Sequence, residues 1–486
     1  MDNSETTLKK GLKVRHFFIL GFGCIVGVGW IVYLGIWLTQ AGPLGSILAF
    51  LIGGMLMMFI GLCYAELATM LPVSGGEIAY AYEIFGLKTS FAVGWFLAFS
   101  FITYVSFEAL SAGWILNTLF PRFDGAVLYL NHGDPVHLGS LLLGLGGIIF
   151  FTLLNYWGMK SAMKFQEVLI CGLVIFSLIF IGTGIIRGHT NNLEPLFSKM
   201  GTESAVRSVL MVLITVPLWL GGFNIIPQVM EEKAEGASLK MVGKVILLAI
   251  GGAAIFYLLV ILSASMSSPW KGLLTLDLPA YGAFLAAFKS PIFAKTVLFA
   301  GLCGIISVWN TLFIASSRIL FALGRGRIIP SAFGRVHPRF KSPWVAVLFV
   351  GAVGFVGVFV GKKALVPIVN MGAFCFALAY LVSCLGVIKL RLSQPDRRRP
   401  YKLPGGIATA ATGALVALGM LLYSLYQPYV NAKGSLPLEW ASILIWAVLG
   451  ALFWVYARKY RNRLSEEERR RFILGSEAHT RSEETL

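Results

Sequence analysis

The amino-acid sequence predicts an all-α polytopic membrane protein with twelve transmembrane helices, of which the first and the sixth are unwound at the middle. The composition is the first observation: the 486 residues are 57% hydrophobic and only 13% charged, with a mean hydropathy of +0.79. The second is that apolar runs of about 20 residues, the length that an α-helix needs to cross the hydrocarbon core, recur along the chain. The third is that two of these runs are interrupted near their middle, which a membrane tolerates where the freed backbone lines a cavity.

The predicted spans form two units of five, followed by a pair. They lie at residues 17–40, 44–70, 90–120, 138–158, 165–187, 208–230, 242–266, 292–323, 344–361, 364–388, 405–427 and 438–457. Each unit of five (17–187 and 208–388) opens with an interrupted span, and because five is odd, the second unit is inverted relative to the first. This predicts a five-plus-five inverted repeat. The pair at 405–457 lies outside the repeat, and residues 1–16 and 458–486 flank the membrane domain of 17–457.

The net charge of +17 is distributed as membrane topology requires. With residue 1 on the cytoplasmic side, most of the 40 Lys and Arg residues fall in inner segments, which is the positive-inside bias. We therefore expect a multi-pass protein of the cell membrane (the inner membrane if bacterial) with both ends in the cytoplasm. Its basic loops are expected to face anionic lipids and not nucleic acid. The charged tail 458–486 is expected to be a solvated short helix that frays.

Nothing in the sequence indicates an enzyme. The six cysteines all fall inside apolar spans without metal-site spacing, so they are expected to be small apolar fillers. No Ser-His-Asp set, His/Cys/Glu cluster or Walker loop is apparent. The sequence therefore predicts no cofactor, no metal and no ATP site that would drive pumping.

The first interruption, GCIVGVGW at 23–30, is a candidate binding site for a carboxylate. Where a helix unwinds, the next half-helix presents free N–H groups and the positive end of its dipole. Glycine tolerates the unwound backbone and lets a ligand approach it closely. The candidate residues are Gly23, Val26, Gly27, Val28 and Gly29. The alternative is helix packing, because Gly23 and Gly27 also form a GxxxG contact motif.

The second interruption, at 219–224, is a candidate site for an ammonium group. Half-helix C-terminal ends expose carbonyls, which attract cations. The candidate residues are Trp219, Leu220, Gly221, Gly222, Phe223 and Asn224. The two aromatic residues either wall the pocket or face lipid, and the polar Asn224 is expected to face the protein interior. N–H groups on one side and carbonyls on the other match a zwitterion, which is the physical argument for an amino acid as the substrate.

Glu108 is the single residue that most specifically indicates a function, because it is an acid that lies well inside the third predicted span. An ionised carboxylate there is costly, so it must find a partner or bind a proton, and such a group can carry a proton through a transport cycle. The alternative is a structural glutamate that hydrogen-bonds to another helix. In span eight, Ser307 and Thr311 could ligate sodium through their hydroxyls, or could bond carbonyls of their own helix.

Five segments together resemble the amino acid–polyamine–organocation (APC) superfamily of permeases. GCIVGVGW (23–30) is similar to the unwound motif G-x-x-x-G-x-G, and CYAELATMLPVSGGEIAYAYEIFG (63–86) to E-L-x-x-x-x-P-x-x-G-G-x-x-x-Y. GGFNIIPQVMEE (221–232), SSRILFALGRGRIIPSAFGRVHPRFKSP (316–343) and KLRLSQPDRRRPYKLPGG (389–406) resemble the signatures of spans six, eight and eleven. The resemblance implies the LeuT-type fold of twelve helices with a five-plus-five inverted repeat.

The resemblance also implies roles for individual residues. Residues 26–29 would bind the substrate carboxylate and residues 220–222 its amino group, and FEALSAGWIL at 107–116 supports a functional Glu108. Two departures matter. Asn224 stands where many relatives have an acid, which disfavours strongly cationic substrates. Leu173 stands near the place of a lysine that replaces sodium in several relatives, which leaves Glu108 as the better candidate for coupling.

The sequence therefore predicts a secondary active transporter that imports an amino acid by alternating access, with a proton, or alternatively sodium, as the coupling ion. A second hypothesis is an antiporter that exchanges an amino acid for its amine or for another amino acid. A third is a transporter homologue that senses a ligand without moving it, and a channel is the weakest alternative.

Overall fold

The computed structural model describes residues 8–120, 122–131, 134–199, 201–276, 278–431 and 436–475. The first half contains α1 (Val14–Ile25), α2 (Gly29–Val32), α3 (Leu34–Met70), α4 (Glu77–Phe85), α5 (Leu87–Leu119), β1 (Val127–Asn131), β2 (Asp134–His137), α6 (Leu138–Tyr156) and α7 (Met159–Arg187). The second half contains α8 (Thr202–Leu213), α9 (Val216–Trp219), α10 (Ile225–Gln228), α11 (Leu239–Ser267), α12 (Trp270–Leu273), α13 (Pro279–Phe288), α14 (Pro291–Arg325), α15 (Trp344–Val358), α16 (Lys362–Ser393), α17 (Gly406–Asn431), α18 (Leu438–Arg461) and α19 (Glu466–Leu474).

The helical polytopic architecture is confirmed. Within the described ranges, ten helices are long and apolar enough to cross a membrane, and they occupy every predicted span except the sixth and the ninth. The sixth predicted span is divided among α8, α9 and α10, and the ninth corresponds to α15, which has only 15 residues. Twelve crossings and the inverted repeat remain predictions.

The first predicted span is assembled from three helices. Helix α1 ends at Ile25, α2 follows at Gly29, and the third part is the start of α3. Helix α3 then changes direction at Gly42, whose φ of 72° is not helical, just before Pro43. This kink lies at the predicted boundary between spans one and two, so α3 completes the first span and contains all of the second.

Among the ten long apolar helices of the described residues, α14 is the most buried and α18 the least. In the most apolar 18-residue stretch of each helix, 78% of the residues are buried for Ala294–Arg325 and 17% for Leu438–Arg461. Helix α14 packs against α1, α5 and α7, while α3 packs against α11. The core therefore surrounds the first broken span, and the last two helices lie at its edge, outside the two predicted units of five.

A short β-hairpin, which the sequence analysis does not predict, connects α5 to α6. Strands β1 and β2 pair antiparallel, with Asn131 opposite Asp134. The hydroxyl of Tyr129 donates a hydrogen bond to the carbonyl of Phe359 (2.7 Å), so the hairpin is anchored beyond the end of α15.

The charged tail does not behave as the solvated segment that the sequence predicts. Helix α19 packs against α4 and α14, with Ile473 and Leu474 buried. The hydroxyl of Tyr82 donates to Oε1 of Glu466 (2.6 Å), and Arg470 forms an ion pair with Glu83 (2.9 Å). The last part of the predicted tail, residues 476–486, lies outside the described residues.

Candidate functional site

The first break leaves N–H groups without acceptors. The backbone departs from helical geometry at Val26, which has φ −93° and ψ 85°, and helical geometry resumes at Val28. In the described part of the chain, the N–H groups of Val28, Gly29 and Trp30 donate no hydrogen bond. These are the groups that the sequence predicts to hold a carboxylate.

The second break leaves carbonyls without donors. Helix α9 ends at Trp219, the backbone turns through Gly222 at a φ of 105°, and α10 starts at Ile225. Among the described residues, no donor reaches the carbonyls of Trp219, Leu220 and Gly221. Exposed carbonyls at the end of a half-helix carry the partial negative charge that attracts an ammonium group.

The two breaks touch each other. A Cβ built on Gly222 would lie 2.9 Å from the carbonyl oxygen of Cys24 and 3.1 Å from its Sγ, so only glycine allows this approach. A Cβ built on Gly29 would lie 2.9 Å from the indole ring of Trp219, which therefore covers the start of α2. The hydroxyl of Tyr257 donates to the carbonyl of Ile25 (3.3 Å), so α11 fixes the end of α1.

Aromatic rings surround the second break on both sides. The ring of Trp219 lies 4.3 Å from that of Tyr33 and 5.5 Å from that of Trp37. Phe223 is fully buried and stacks on Tyr380 at 5.3 Å. Phe223 therefore packs in the protein interior, and the predicted alternative of a lipid-facing ring does not describe its position.

Asn224 is fully buried, and neither Oδ1 nor Nδ2 has a hydrogen-bond partner. Its side chain faces the carboxyl group of Glu77 at the start of α4. A buried amide without partners is costly, so the hydrogen-bonding capacity of this side chain is left unused beside the second break.

Glu108 lies in α5 and is buried, and its Oε2 has no partner. Its neighbours include the thiol of Cys24 at the end of α1 and the hydroxyl of Tyr104. The same thiol faces the hydroxyl of Thr311. Glu108 is therefore near the first break, and the structure shows, among the residues that it describes, no hydrogen-bond partner that would fix its Oε2 to another helix.

The two predicted ion ligands in α14 already make hydrogen bonds. Thr311 Oγ1 donates to its own helix at the carbonyls of Ser307 (3.1 Å) and Val308 (2.7 Å). Ser307 Oγ donates to the carbonyl of Gly23 (3.0 Å), which connects α14 to α1. Gly23 lies within α1 and not in the break itself. The hydroxyl of Thr311 therefore bonds carbonyls of its own helix, which is the predicted alternative to sodium ligation, while Ser307 connects α14 to α1.

Sequence reasoning missed a buried amide network beside the first break. Gln166 Nε2 donates to Ser307 Oγ (2.6 Å), and Gln166 Oε1 accepts from Asn310 Nδ2 (3.0 Å). Asn155 Nδ2 donates in turn to Asn310 Oδ1 (3.3 Å). The signal in the sequence is an amide inside predicted span five, two residues into an apolar run. The network joins α6, α7 and α14 to the end of α1 without any charge.

Comparison with known proteins decides the family. A family model described as "Amino acid permease" matches residues 12–460, which is nearly the whole chain. The chain belongs to the amino acid permease family. Over 468 residues it is 26% identical to the methylthioribose transporter of Bacillus subtilis, covering 94% of this permease and 95% of that protein.

Two further relatives carry amino acids in their names. The branched-chain amino acid permease BcaP of Bacillus subtilis is 26% identical over 481 residues, with 94% of this permease and 95% of BcaP covered. The amino-acid permease RocC of the same organism is 27% identical over 409 residues, with 84% of each chain covered. These relatives are transporters and not enzymes. The family match and the long apolar helices together indicate that this permease is an integral multi-pass membrane protein.

Proposed function

We propose that this permease is a secondary active transporter that imports a neutral amino acid together with a proton by alternating access. The observation that carries the proposal is the contact between two broken helices that expose opposite backbone groups. Free N–H groups at residues 28–30 suit the carboxylate, and free carbonyls at residues 219–221 suit the ammonium group. The proposal includes twelve crossings, the five-plus-five inverted repeat and both chain ends in the cytoplasm.

The unpaired amide of Asn224 supports a neutral substrate side chain. It is buried next to the second break and carries no charge that would offset a cationic side chain. We expect Asn224→Asp to shift preference towards cationic amino acids such as arginine. The measurement is competition by a panel of unlabelled amino acids against one labelled substrate, and an unchanged ranking would remove Asn224 from the substrate site.

The carboxyl group of Glu108 supports the proton as the coupling ion. It is buried near the first break with one oxygen unpartnered, and among the described residues it forms no ion pair. A neutral, protonated carboxyl remains buried at lower cost than a carboxylate while the site changes its exposure from one face of the membrane to the other. We expect Glu108→Gln to abolish proton-driven accumulation while substrate exchange continues. Glu203→Gln, at an exposed position in the first turn of α8, is the matched control.

The experiment is uptake by purified protein in liposomes with three imposed conditions: a proton gradient, a sodium gradient, and internal substrate without a gradient. Accumulation driven by an alkaline interior supports symport. Accumulation only with internal substrate indicates the exchanger, and binding without movement indicates the sensor. Both outcomes contradict the proposed symport.

A second candidate substrate comes from the methylthioribose transporter, which matches this permease over 94% of its length. Methylthioribose has neither a carboxylate nor an ammonium group, so it offers no charged group to the free N–H groups of the first break or to the free carbonyls of the second. Including it in the uptake panel separates the two candidates. Transport of methylthioribose without competition by any amino acid would contradict the zwitterion argument.

A further inference from the structure

Glu77 is a buried acid that the proposed cycle has not used. It is the first residue of α4, directly after the turn at Gly75 and Gly76, and it is 1% exposed. A Cβ built on Gly76 would lie 2.4 Å from Cβ of Pro227, so the turn is pressed against α10, the second half of the broken sixth span. Glu77 therefore lies where the connecting helix α4 meets the half-helix that follows the second break.

The carboxyl group of Glu77 joins three elements. The hydroxyl of Tyr64 in α3 donates to Oε1 (3.0 Å), and Nε2 of Gln228 in α10 donates to Oε2. The amide of Asn224 faces the same carboxyl from the second break. A single acid thus connects α4 to α3 and to the end of α10, and any separation of α4 from α10 must break its hydrogen bond with Gln228.

The surroundings of Glu77 hold no compensating charge. The titratable groups that face it are three hydroxyls: Tyr64 in α3, Tyr80 in α4 and Tyr380 in α16. Neighbouring acids at this face are paired instead: Glu66 with Arg391 and Arg399, Glu83 with Arg397 and Arg470, Glu231 with Arg325, and Glu232 with Arg318. Within the described ranges, Glu77 takes part in no ion pair.

Both protonation states of Glu77 are accessible near neutral pH. Burial raises the pKa of Glu77 to about 7, against the hydrogen bonds from its own backbone N–H and from Tyr64 that favour the carboxylate. Its position in the first turn of α4 also favours the carboxylate through the helix dipole. A carboxyl with these opposing influences can bind a proton when enclosed and lose it when water arrives.

We propose that Glu77 is a second proton-binding site, which holds a proton while α4 is seated on α10 and releases it to cytoplasmic water when the inner side opens. In that step the carboxyl O–H bond breaks, the proton passes to water, and the carboxylate becomes hydrated. Seating α4 again requires a proton to return, so opening and closing of the inner face depend on pH. This proposal rests on the proposed transport function and adds to the role of Glu108.

The first test is an infrared titration of the purified protein, which needs no substrate. A buried protonated carboxyl gives a C=O stretching band that disappears on ionisation. We expect a band with a midpoint near pH 7 in the wild type and its loss in Glu77→Gln. Glu83→Gln is the matched control on the same helix, because Glu83 is ion-paired with Arg397 and Arg470. A band that survives in Glu77→Gln with the same midpoint would overturn the proposal.

The second test compares net uptake with substrate exchange in liposomes at equal pH on both sides, from pH 6 to pH 8. Exchange does not require the empty carrier to return, whereas net uptake does. We expect the ratio of the two rates to change with a midpoint near pH 7 in the wild type, and we expect that transition to be absent in Glu77→Gln, where any remaining dependence on pH belongs to Glu108. Tyr64→Phe removes a donor to the carboxylate and should move the midpoint to higher pH. A wild-type pH profile in both variants would refute the proposal, whereas a wild type that transports nothing contradicts only the proposed function.

Discussion

The buried carboxyl of Glu77 predicts how the stability of this permease depends on pH. Its pKa rises from an ordinary value of 4.5 to about 7, because burial disfavours the carboxylate. Between these two pH values the unfolded chain loses this proton and the folded chain keeps it. The free energy of unfolding therefore falls as the pH rises through that window and levels off above pH 7.

The size of the effect follows from the two pKa values. A difference of about 2.5 pKa units at 1.36 kcal/mol per unit corresponds to about 3 kcal/mol of stability lost between pH 4.5 and pH 7. With an unfolding entropy of about 2.1 cal/mol/K per residue, 486 residues give about 1 kcal/mol/K, so the expected shift in melting temperature is about 3 °C.

The assay is thermal unfolding of detergent-purified protein, followed by intrinsic fluorescence at a series of pH values. Glu77→Gln cannot ionise, so its melting temperature relative to wild type should rise by about 3 °C from pH 5 to pH 8. Any hydrogen bond lost in the variant gives an offset that does not depend on pH. Glu83→Gln serves as the control, and a Glu77→Gln curve parallel to wild type across this range would refute the reasoning.

Three further predictions concern the breaks and the inner face. Gly222→Ala should abolish transport, since alanine is strained by about 1–2 kcal/mol at this positive φ and its Cβ would contact Cys24 at 2.9 Å. The control is Gly251→Ala, where the nearest atom to the added Cβ is 3.9 Å away, and its uptake should match that of the wild type. Arg318→Met should destabilise the fold by about 3–5 kcal/mol, because it leaves the carboxylate of Glu232, which lies 2.9 Å from Arg318, buried and unpaired. The measurement is thermal unfolding, and an unchanged melting temperature would contradict this prediction. Replacing sodium by choline at constant pH should leave the initial uptake rate unchanged, because the proposal assigns coupling to a proton on the buried carboxyl of Glu108; a strict sodium requirement would contradict that proposal.

The helices and the two breaks could be predicted because their signals are local. Hydropathy over about 20 residues identifies a spanning helix, and a glycine cluster marks where such a helix unwinds. The sixth span met both conditions, and the structure divides it at 220–224, within the range that the sequence marked. It also divides the span at 214 and 215, which the sequence did not mark. The ninth is harder to assign because α15 has only 15 residues, which is short for a crossing without tilt or thinning of the bilayer.

The site residues that the sequence missed depend on contacts between distant segments. Gln166 reads as the polar edge of span five, and only the packing of α7 on α14 brings its amide to Ser307, 141 positions later. Glu77 reads as part of an amphipathic loop, and only the docking of α4 on α10 buries it beside Gln228. Periodicity reports which face of one helix is apolar, but it carries no information about which helix covers that face.

The tail helix shows why a charged sequence need not be a solvated one, and it bears on how α4 moves. Two charged residues of α19 have partners on α4, because Tyr82 binds Glu466 and Arg470 pairs with Glu83, while Ile473 packs against the end of α14. Arg470 is 47% exposed, so its ion pair contributes at most about 1 kcal/mol. Helix α4 is therefore held at its exposed end by weak contacts and at its buried end by the hydrogen bonds of a titratable carboxyl. Under the proposal for Glu77, the contact at the buried end, and not the tail, is the interaction whose strength changes between pH 6 and pH 8.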